Sequence, residues 1–356
     1  MRRSLEDESH TIFDISPLRD RWAPVFRARK LLTRVLLRQD YHRDREPLVL
    51  ESYARQVAER LQGEDVDVVL SPSTIPIARL RRGPIAFWTD AVFAGLVDYY
   101  PGFSNLTRGT RAAGDRMERD ALERASLAIY SSDWAAEMAV EYYGADPRKV
   151  HVVPYGANVD ESLAAEDVAA VVDARPSKRC ELLFVGVQWL RKGGDVAVEV
   201  ARRLNDAGLE TRLTIVGSGP ADRPLPFVRA LGFVSKAASE GRALIRRLFS
   251  DAHFLILPTR ADCSPIVLCE ANAFAVPTLA TRTGGIPTIV TEGRNGYSFA
   301  PEAGAGAYSD TILELFGDYS RYRALARDAH HEYRTRLNWE TAGTRVKALL
   351  APLRAA

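Results

Sequence analysis

Two carboxylates, Asp262 and Glu270, flank the predicted start of an apolar helix. The apolar run Phe254–Leu257 predicts a buried strand, and the loop that follows it contains Asp262. Pro265 suits the first turn of a helix, and a helix that begins near Ser264 places Glu270 roughly 9 Å further along its axis. Two acids at that spacing could hold different parts of one elongated ligand. A solvated loop acid and a helix-surface acid would show the same spacing, so both interpretations stay open.

The first turn of this helix offers a seat for an anion. Its peptide N–H groups have no partners within the helix and carry partial positive charge. Ser264, Ile266 and Val267 belong to this turn. Because a phosphate or a diphosphate suits such groups, the sequence predicts an anionic ligand between the two carboxylates.

Two adjacent cations, Arg191 and Lys192, follow another predicted strand, Glu181–Val185. Since ligands of parallel α/β sheets bind at the carboxyl ends of the strands, we expect both cations at the same edge as the acids. There they could neutralise a leaving diphosphate, while Gly186 lets the backbone approach the ligand. Taken alone, the pair would be interpreted as two solvated loop residues.

Two weaker candidates follow other predicted strands. Gly284 and Gly285 come after Thr278–Ala280, in a turn whose glycines permit close approach of a ligand. In the first half of the chain, the apolar strand Pro84–Thr89 ends at Asp90, which either faces a reacting centre or caps the next turn.

Composition excludes several classes of protein. The 356 residues contain 48 Lys and Arg against 46 Asp and Glu, so no basic field exists to recruit nucleic acid. The three cysteines and six histidines show neither a disulfide framework nor metal-ligand spacing, which predicts no metal site. The chain starts with charged residues instead of the apolar stretch of a signal peptide, which predicts a cytoplasmic location.

The elements that must position these residues form two series of short apolar strands separated by amphipathic helices, which is typical of α/β folds with parallel sheets. The first series is predicted at His10–Ile15, Val66–Leu70, Pro84–Thr89, Leu127–Ser131 and Val150–Pro154. The second is predicted at Glu181–Val185, Arg212–Val216, Val228–Phe233, Phe254–Leu257 and Thr278–Ala280. We therefore predict two domains, 1–165 and 166–336, and a final helix, 337–356, that packs back on the first domain.

A basic segment, Arg19–Arg45, contains nine Arg or Lys and three Asp. Its central part, Pro24–Gln39, predicts an amphipathic helix with apolar and basic faces. Such a helix could contact anionic lipid at the inner face of a membrane or steer an anionic acceptor. A solvated helix over a protein core would have the same pattern.

Taken together, these residues resemble the retaining family-4 glycosyltransferases of bacterial type (glycosyl transferases group 1). The most specific element is an acid, seven residues and a Glu, which here are Asp262 and Glu270. The glycine and Lys-Gly loop of the family matches Gly186 and Lys192. The resemblance is strong over 181–300 and weak before residue 80. It implies the GT-B fold, in which two Rossmann-like domains face a central cleft.

The resemblance also implies roles. It assigns the first domain to the acceptor and the second to a nucleoside diphosphate sugar, with no cofactor and no metal. Asp262 would hold the hexose, Glu270 the ribose and Lys192 the diphosphate, while Asp90 would contact the reacting centre. The implied catalytic residues are Asp90, Lys192 and Asp262. The implied donor-binding residues are Gly186, Arg191, Lys192, Gly232, Phe233, Val234, Asp262, Ser264, Ile266, Val267 and Glu270, with Gly284 and Gly285 in a cleft loop. The acceptor would be a saccharide or glycolipid in cell-surface polysaccharide synthesis.

The chain departs from the family pattern in three places. Val187 stands where the family usually has Arg, and Pro265 stands where it usually has Gly. The first strand and Gly-rich loop expected before residue 10 are lacking, which suggests a truncated first domain. These departures keep open a sugar-nucleotide-binding or scaffolding subunit with weakened catalysis. A third hypothesis is a glycoside hydrolase that uses Asp262 and Glu270 as acid and base.

Overall fold

The computed structural model describes residues 1–219 and 225–354. The chain divides into two compact units, one made of Met1–Val153 together with the chain from Gly343 onward, and the other of Pro154–Ala342. The first unit ends earlier than residue 165 because Ala157 already packs in the core of the second unit, where its N–H donates to the Leu337 carbonyl at 3.0 Å. Each unit contains one parallel β-sheet with helices, the α/β architecture that the sequence predicts.

The amino-terminal unit has a four-stranded sheet in the order β1-β2-β3-β4. Its strands are β1 (Val69–Ser71), β2 (Ile85–Thr89), β3 (Leu127–Tyr130) and β4 (Val150–Val152). Its helices are α1 (Arg2–Leu5), α2 (Ala23–Leu32), α3 (Pro47–Arg60), α4 (Phe93–Leu96), α5 (Arg108–Arg124) and α6 (Asp133–Glu141). A π-helical turn, Thr33–Leu37, continues α2, and short 3-10 turns lie at Arg43–Arg45, Ile75–Ile77, Pro101–Phe103 and Pro147–Lys149.

The strand predicted at His10–Ile15 is wrong. Residues 11–20 have no regular structure, and His10 forms only an isolated bridge with Asp7. Side chains bond to the backbone at the end of the predicted strand: the Ile15 carbonyl accepts from Arg60 Nη1, and the next N–H, that of Ser16, donates to Asp14 Oδ1 at 2.8 Å. Such bonds compete with the ladder of a sheet.

The carboxyl-terminal unit has a six-stranded parallel sheet in the order β10-β9-β8-β5-β6-β7. Its strands are β5 (Arg179–Gly186), β6 (Glu210–Gly217), β7 (Val228–Ala230), β8 (Phe254–Leu257), β9 (Thr278–Thr281) and β10 (Gly296–Phe299). Its helices are α7 (Val168–Asp173), α8 (Trp189–Lys192), α9 (Gly194–Asp206), α10 (Ser239–Asp251), α11 (Ile266–Asn272), α12 (Ile286–Ile289), α13 (Gly304–Gly317), α14 (Tyr319–Thr335) and the start of α15 (Trp339–Arg354). Strand β7 ends before the predicted Phe233, and β10 was not predicted.

The strand order reverses direction between β5 and β8. From β5 the chain proceeds outward through β6 and β7, and from β8 it proceeds the other way through β9 and β10. All four residues of β8 are buried, as expected for a central strand covered on both faces. Such a reversal opens a crevice at the carboxyl ends of the two strands, where α/β sheets bind ligands.

Helix α15 begins in the carboxyl-terminal unit and ends in the amino-terminal one. Within the amino-terminal unit, Lys347 Nζ lies 2.5 Å from Asp7 Oδ2, and Arg345 donates to the Val152 carbonyl at 3.1 Å. Gly343 packs so closely on the Ser4 backbone that a β-carbon there would overlap it. The end of the chain therefore completes the fold of its beginning.

Candidate functional site

The loops after β5 and β8 meet at the crevice between these two strands. The strands are direct neighbours, with Leu182 opposite Phe254. The Arg191 carbonyl accepts hydrogen bonds from the Arg260 N–H at 2.7 Å and the Thr259 hydroxyl at 3.0 Å. The sheet topology thus brings together two segments about seventy positions apart in the sequence.

Lys192 and Asp262 form an ion pair at this edge. The Lys192 ammonium donates to Asp262 Oδ2, and the two side chains are only 15% and 9% exposed. Arg191 Nη1 lies 3.9 Å from the same carboxylate oxygen and donates to the Ala261 carbonyl at 2.5 Å. Both predicted cations therefore converge on the predicted acid in a partly desolvated place, where electrostatic interactions are stronger than in water.

Glycines allow this close arrangement. Gly193 ends α8 in the left-handed region at φ +76°, and a β-carbon there would overlap the Pro258 carbonyl. Gly186 lies against the aliphatic stem of Lys192, 3.1 Å from its Cγ if a β-carbon were added. Larger residues would push the Lys192 loop away from the loop that holds Asp262.

Glu270 lies on α11 and is 5% exposed. Burial raises the pKa of its carboxyl group, which Lys236 and the Asn158 backbone N–H oppose by stabilising the carboxylate. Lys236 Nζ lies 2.6 Å from Glu270 Oε1. Sequence reasoning missed Lys236, because a buried acid indicates that a cation is needed but not which of the 48 Lys and Arg residues provides it.

The helix start predicted to bind an anion lies two residues later in the structure than the sequence predicts. Helix α11 begins at Ile266, and Pro265 precedes it instead of forming its first turn. Ser264 therefore lies in the loop, while Ile266 and Val267 open the helix. The Ser264 hydroxyl is buried and finds no hydrogen-bond partner in residues 1–219 and 225–354. A ligand oxygen at this edge would satisfy that hydroxyl.

The turn Gly232–Val234 lies beside the end of β6. The Gly232 carbonyl accepts from the Gly217 N–H at 2.8 Å, and the Gly186 carbonyl accepts from the Ser218 N–H at 2.9 Å. The first bond joins the turn to the end of β6, and the second joins the residue after β6 to the end of β5. Phe233 is 77% exposed, so its ring is open to a planar ligand. Gly217, at φ +107°, packs so close to Gly186 that a β-carbon would not fit, a constraint that the sequence analysis did not identify.

The remaining predicted residues lie in different places. The Gly285 N–H donates to the Asp262 carbonyl at 3.3 Å, which brings the turn containing Gly284 to the same edge. Asp90 follows β2 in the amino-terminal unit, and its side chain is exposed. The structure thus brings the other predicted site residues together on the carboxyl-terminal unit.

Two family models match the chain. Residues 179–318 match "Glycosyl transferases group 1", and residues 9–161 match "Glycosyltransferase Family 4". The chain belongs to the family-4, group 1 glycosyltransferases. The family resemblance inferred from Asp262, Glu270 and Lys192 is therefore confirmed, and so is the GT-B type of fold.

Individual relatives are distant. A D-inositol 3-phosphate glycosyltransferase of Xylanimonas cellulosilytica is 28% identical over 63% of this chain and 56% of its own length. The putative colanic acid biosynthesis glycosyltransferase WcaL of Salmonella typhimurium is 26% identical over 75% of this chain and 65% of its own. The matched segment thus spans between half and two thirds of these relatives.

Among solved structures, Anabaena HepE in complex with UDP and glucose has a TM-score of 0.59 at 14% identity, covering 85% of this chain and 81% of HepE. This glycosyltransferase fold is what the two chains share. In the part of this chain that the structure describes, no helix is both long and apolar enough to cross a membrane.

Proposed function

We propose that this family-4 glycosyltransferase transfers a hexose from a nucleoside diphosphate sugar to a saccharide or glycolipid, with retention of anomeric configuration and without a metal ion. The observation that carries the proposal is the meeting of Lys192, Arg191 and Asp262 at the β5–β8 crevice, with Glu270 on the adjacent helix. The family assignment favours transfer over the hydrolysis that two acids alone left open.

The cations would stabilise the departing nucleoside diphosphate. A lysine ammonium has three N–H donors, so Lys192 can hold Asp262 and still donate to a phosphate oxygen. Arg191 lies close enough to supply the charge that the family usually places at Val187. Charge that develops on the leaving group is stabilised most strongly in a partly desolvated site, where this interaction dominates catalysis.

The two acids would hold the sugar components of the donor. Asp262 would accept hydrogen bonds from hexose hydroxyls, and Glu270 would accept them from the ribose. Phe233, exposed on the neighbouring turn, would lie against the nucleobase. The complex of the structurally similar HepE with UDP and glucose motivates uracil as the first base to test.

The acceptor is proposed from the relatives. The name of WcaL refers to colanic acid biosynthesis, and the name of the Xylanimonas relative refers to D-inositol 3-phosphate. We propose a saccharide or glycolipid acceptor in cell-surface polysaccharide synthesis. The contact of Asp90 with the reacting sugar stays a prediction.

A panel of UDP- and GDP-hexoses with saccharide and glycolipid acceptors tests this function. We expect turnover with one donor, a product with the anomeric configuration of that donor by NMR, and unchanged rates in a chelator. Inversion would refute retention, and loss of activity in the chelator would refute metal independence. Tight nucleotide binding without turnover across the panel would instead establish the binding-subunit hypothesis.

Lys236 gives the first prediction. Replacing it by alanine removes the cation that stabilises the Glu270 carboxylate, so the pKa of Glu270, already raised by burial, should rise further. Only the ionised carboxylate accepts hydrogen bonds from both ribose hydroxyls. As the pH is lowered, UDP affinity should therefore begin to fall at a higher pH in Lys236→Ala than in the natural chain. Calorimetric UDP titrations across pH measure this, with Lys236→Arg as the charge-retaining control. Superimposable pH profiles for all three chains would contradict the role of Lys236.

An exposed apolar surface on the amino-terminal unit could bring the protein to a membrane-bound acceptor. Five large apolar side chains at the end of α2 and in the following π turn are each 58–73% exposed: Leu31, Leu32, Val35, Leu36 and Leu37. Basic residues alternate with them, and Ala23–Arg38 contains no acid. Contiguous apolar exposure of this kind is uncommon on soluble surfaces. We propose that this segment lies in the interface of an anionic membrane, where glycolipid acceptors are found.

Vesicle sedimentation provides the second prediction. The double variant Val35→Glu with Leu36→Glu should reduce binding to vesicles of phosphatidylcholine and phosphatidylglycerol by about tenfold or more, because two aliphatic side chains that would enter the membrane interface are lost. Tyr142→Glu, which adds one acid at an exposed side chain elsewhere on the amino-terminal unit, controls for the effect of an added negative charge. Equal sedimentation of the double variant and the natural chain would rule out the contact.

A further inference from the structure

A cavity lies at the amino ends of strands in the carboxyl-terminal sheet, on the opposite side from the β5–β8 crevice. It measures about 570 Å³ and opens at the amino ends of β5, β6 and β7, beside the end of α10. Its lining on β5 extends from Arg179 to Leu183, so it stops three residues, roughly 10 Å of strand, before Gly186 at the β5–β8 crevice. Its volume lies in the range of small-molecule sites.

The sheet face that forms its floor is unusually polar. Strands of parallel sheets covered on both faces are normally continuous apolar runs. Here Arg179 and Glu181 alternate with buried residues along β5, and Arg212 and Thr214 do so along β6. Register places Glu181 beside Arg212, and Thr214 beside Arg229. Neighbouring residues of this kind point to the same face, so the polar side chains form one surface.

The charge of the lining is strongly positive. Five arginines line the cavity, namely Arg175, Arg179, Arg212, Arg229 and Arg247, against the carboxylates Glu181 and Asp251. Arg179 donates to Glu181 at 2.6 Å. Arg175 is buried, and its partners in the described part of the chain are all neutral: the Tyr322 hydroxyl and the carbonyls of Ser250, Phe274 and Ala275. No carboxylate among the described residues pairs with it.

Two arginines remain available to a ligand. The guanidinium groups of Arg229 and Arg247 form no hydrogen bond or ion pair with any residue in 1–219 or 225–354, and both residues are exposed at the cavity. Arg229 lies on β7, whereas Arg247 lies on α10, so their guanidinium groups belong to two different elements of the lining. The lining also includes apolar side chains, among them Val171, Leu183, Phe227 and Leu248.

We propose that this cavity binds a phosphorylated small molecule, whose phosphate contacts Arg229 and Arg247 and whose less polar part lies on the apolar side chains. Arginine matches phosphate through paired, charge-assisted hydrogen bonds. The binding site is independent of the donor crevice, because none of the residues proposed to hold the donor lines it.

Calorimetry with phenyl phosphate, a monoester with an apolar body, tests the proposal. Because the donor crevice would also attract phosphate, the background for every titration is Lys192→Ala. In that background we expect binding that weakens about tenfold or more when Arg229→Ala and Arg247→Ala are added. Arg246→Ala is the matched control, since Arg246 lies on the same helix, pairs with Glu161 and does not line the cavity.

Thr214→Glu supplies an independent variant, because it adds a negative charge to the cavity floor and leaves every arginine in place. It should weaken phenyl phosphate binding as much as the double variant does. Phenyl phosphate should also bind more tightly than inorganic phosphate, because only the monoester contacts the apolar lining. No binding in the Lys192→Ala background, or equal affinity in all variants, would overturn the site, while the donor crevice would be judged separately by turnover.

Discussion

Replacing Lys192 by alanine is expected to lower turnover by about 100-fold or more, the cost of removing one preorganised donor from a developing negative charge. Lys192 is the cation that donates directly to Asp262 at the β5–β8 crevice, and its side chain is mostly buried there. Arg191 remains 3.9 Å from Asp262, so this acid keeps a cationic neighbour and the fold is expected to survive. Steady-state kinetics with the preferred nucleotide sugar measure the loss.

Lys178→Ala is the matched control for this experiment. Lys178 is an exposed lysine of the same unit, outside the proposed donor site, and its removal changes the net charge equally. Natural turnover in Lys192→Ala would refute the assignment of the diphosphate site. A similar loss in both variants would show that net charge, and not position, is responsible.

Asp262→Asn is expected to cost a comparable factor, about 100-fold in turnover, with a different signature. The amide retains the shape of the side chain but accepts fewer hydrogen bonds from the hexose. Because UDP lacks the hexose, its affinity should change much less than the turnover of the sugar nucleotide. Calorimetry with UDP, performed beside kinetics, separates the two effects. Equal losses in UDP affinity and in turnover would contradict a contact with the sugar.

The pairing of Lys192 with Asp262 also predicts how the two changes combine. Residues in direct contact that act as a unit give losses that are strongly non-additive. The chain with both substitutions should therefore turn over only slightly more slowly than the worse single variant. A loss equal to the product of the single losses would mean that the two residues act independently.

The sequence was sufficient to place Lys192 and Asp262 at one edge. This inference needed only two features: each residue follows an apolar strand, and parallel strands end at a common edge. It was not sufficient to predict their direct contact. That contact depends on β5 and β8 being neighbours at the reversal of strand order, and strand order is not encoded in local periodicity.

Other features lay beyond sequence reasoning for related reasons. The ion pair of Lys236 with Glu270 joins residues that are distant in the sequence, and no local sequence pattern predicts it. Strand β10 is four residues long and has only alternate residues fully buried, too weak a signal beside the long helices that follow. The prediction at His10–Ile15 depended on a local pattern alone, whereas the Ile15 carbonyl bonds to the distant Arg60 side chain.

The path of the final helix affects when the amino-terminal unit can complete its fold during synthesis. Two residues that pack against the beginning of the chain, Gly343 and Lys347, are synthesised only after all of Pro154–Ala342. The amino-terminal unit, although encoded first, therefore cannot complete its fold until these late residues have left the ribosome. Until then, the surface around Ser4 and Asp7 has no partner helix, which exposes the nascent chain to chaperones for longer than a simple sequential arrangement would.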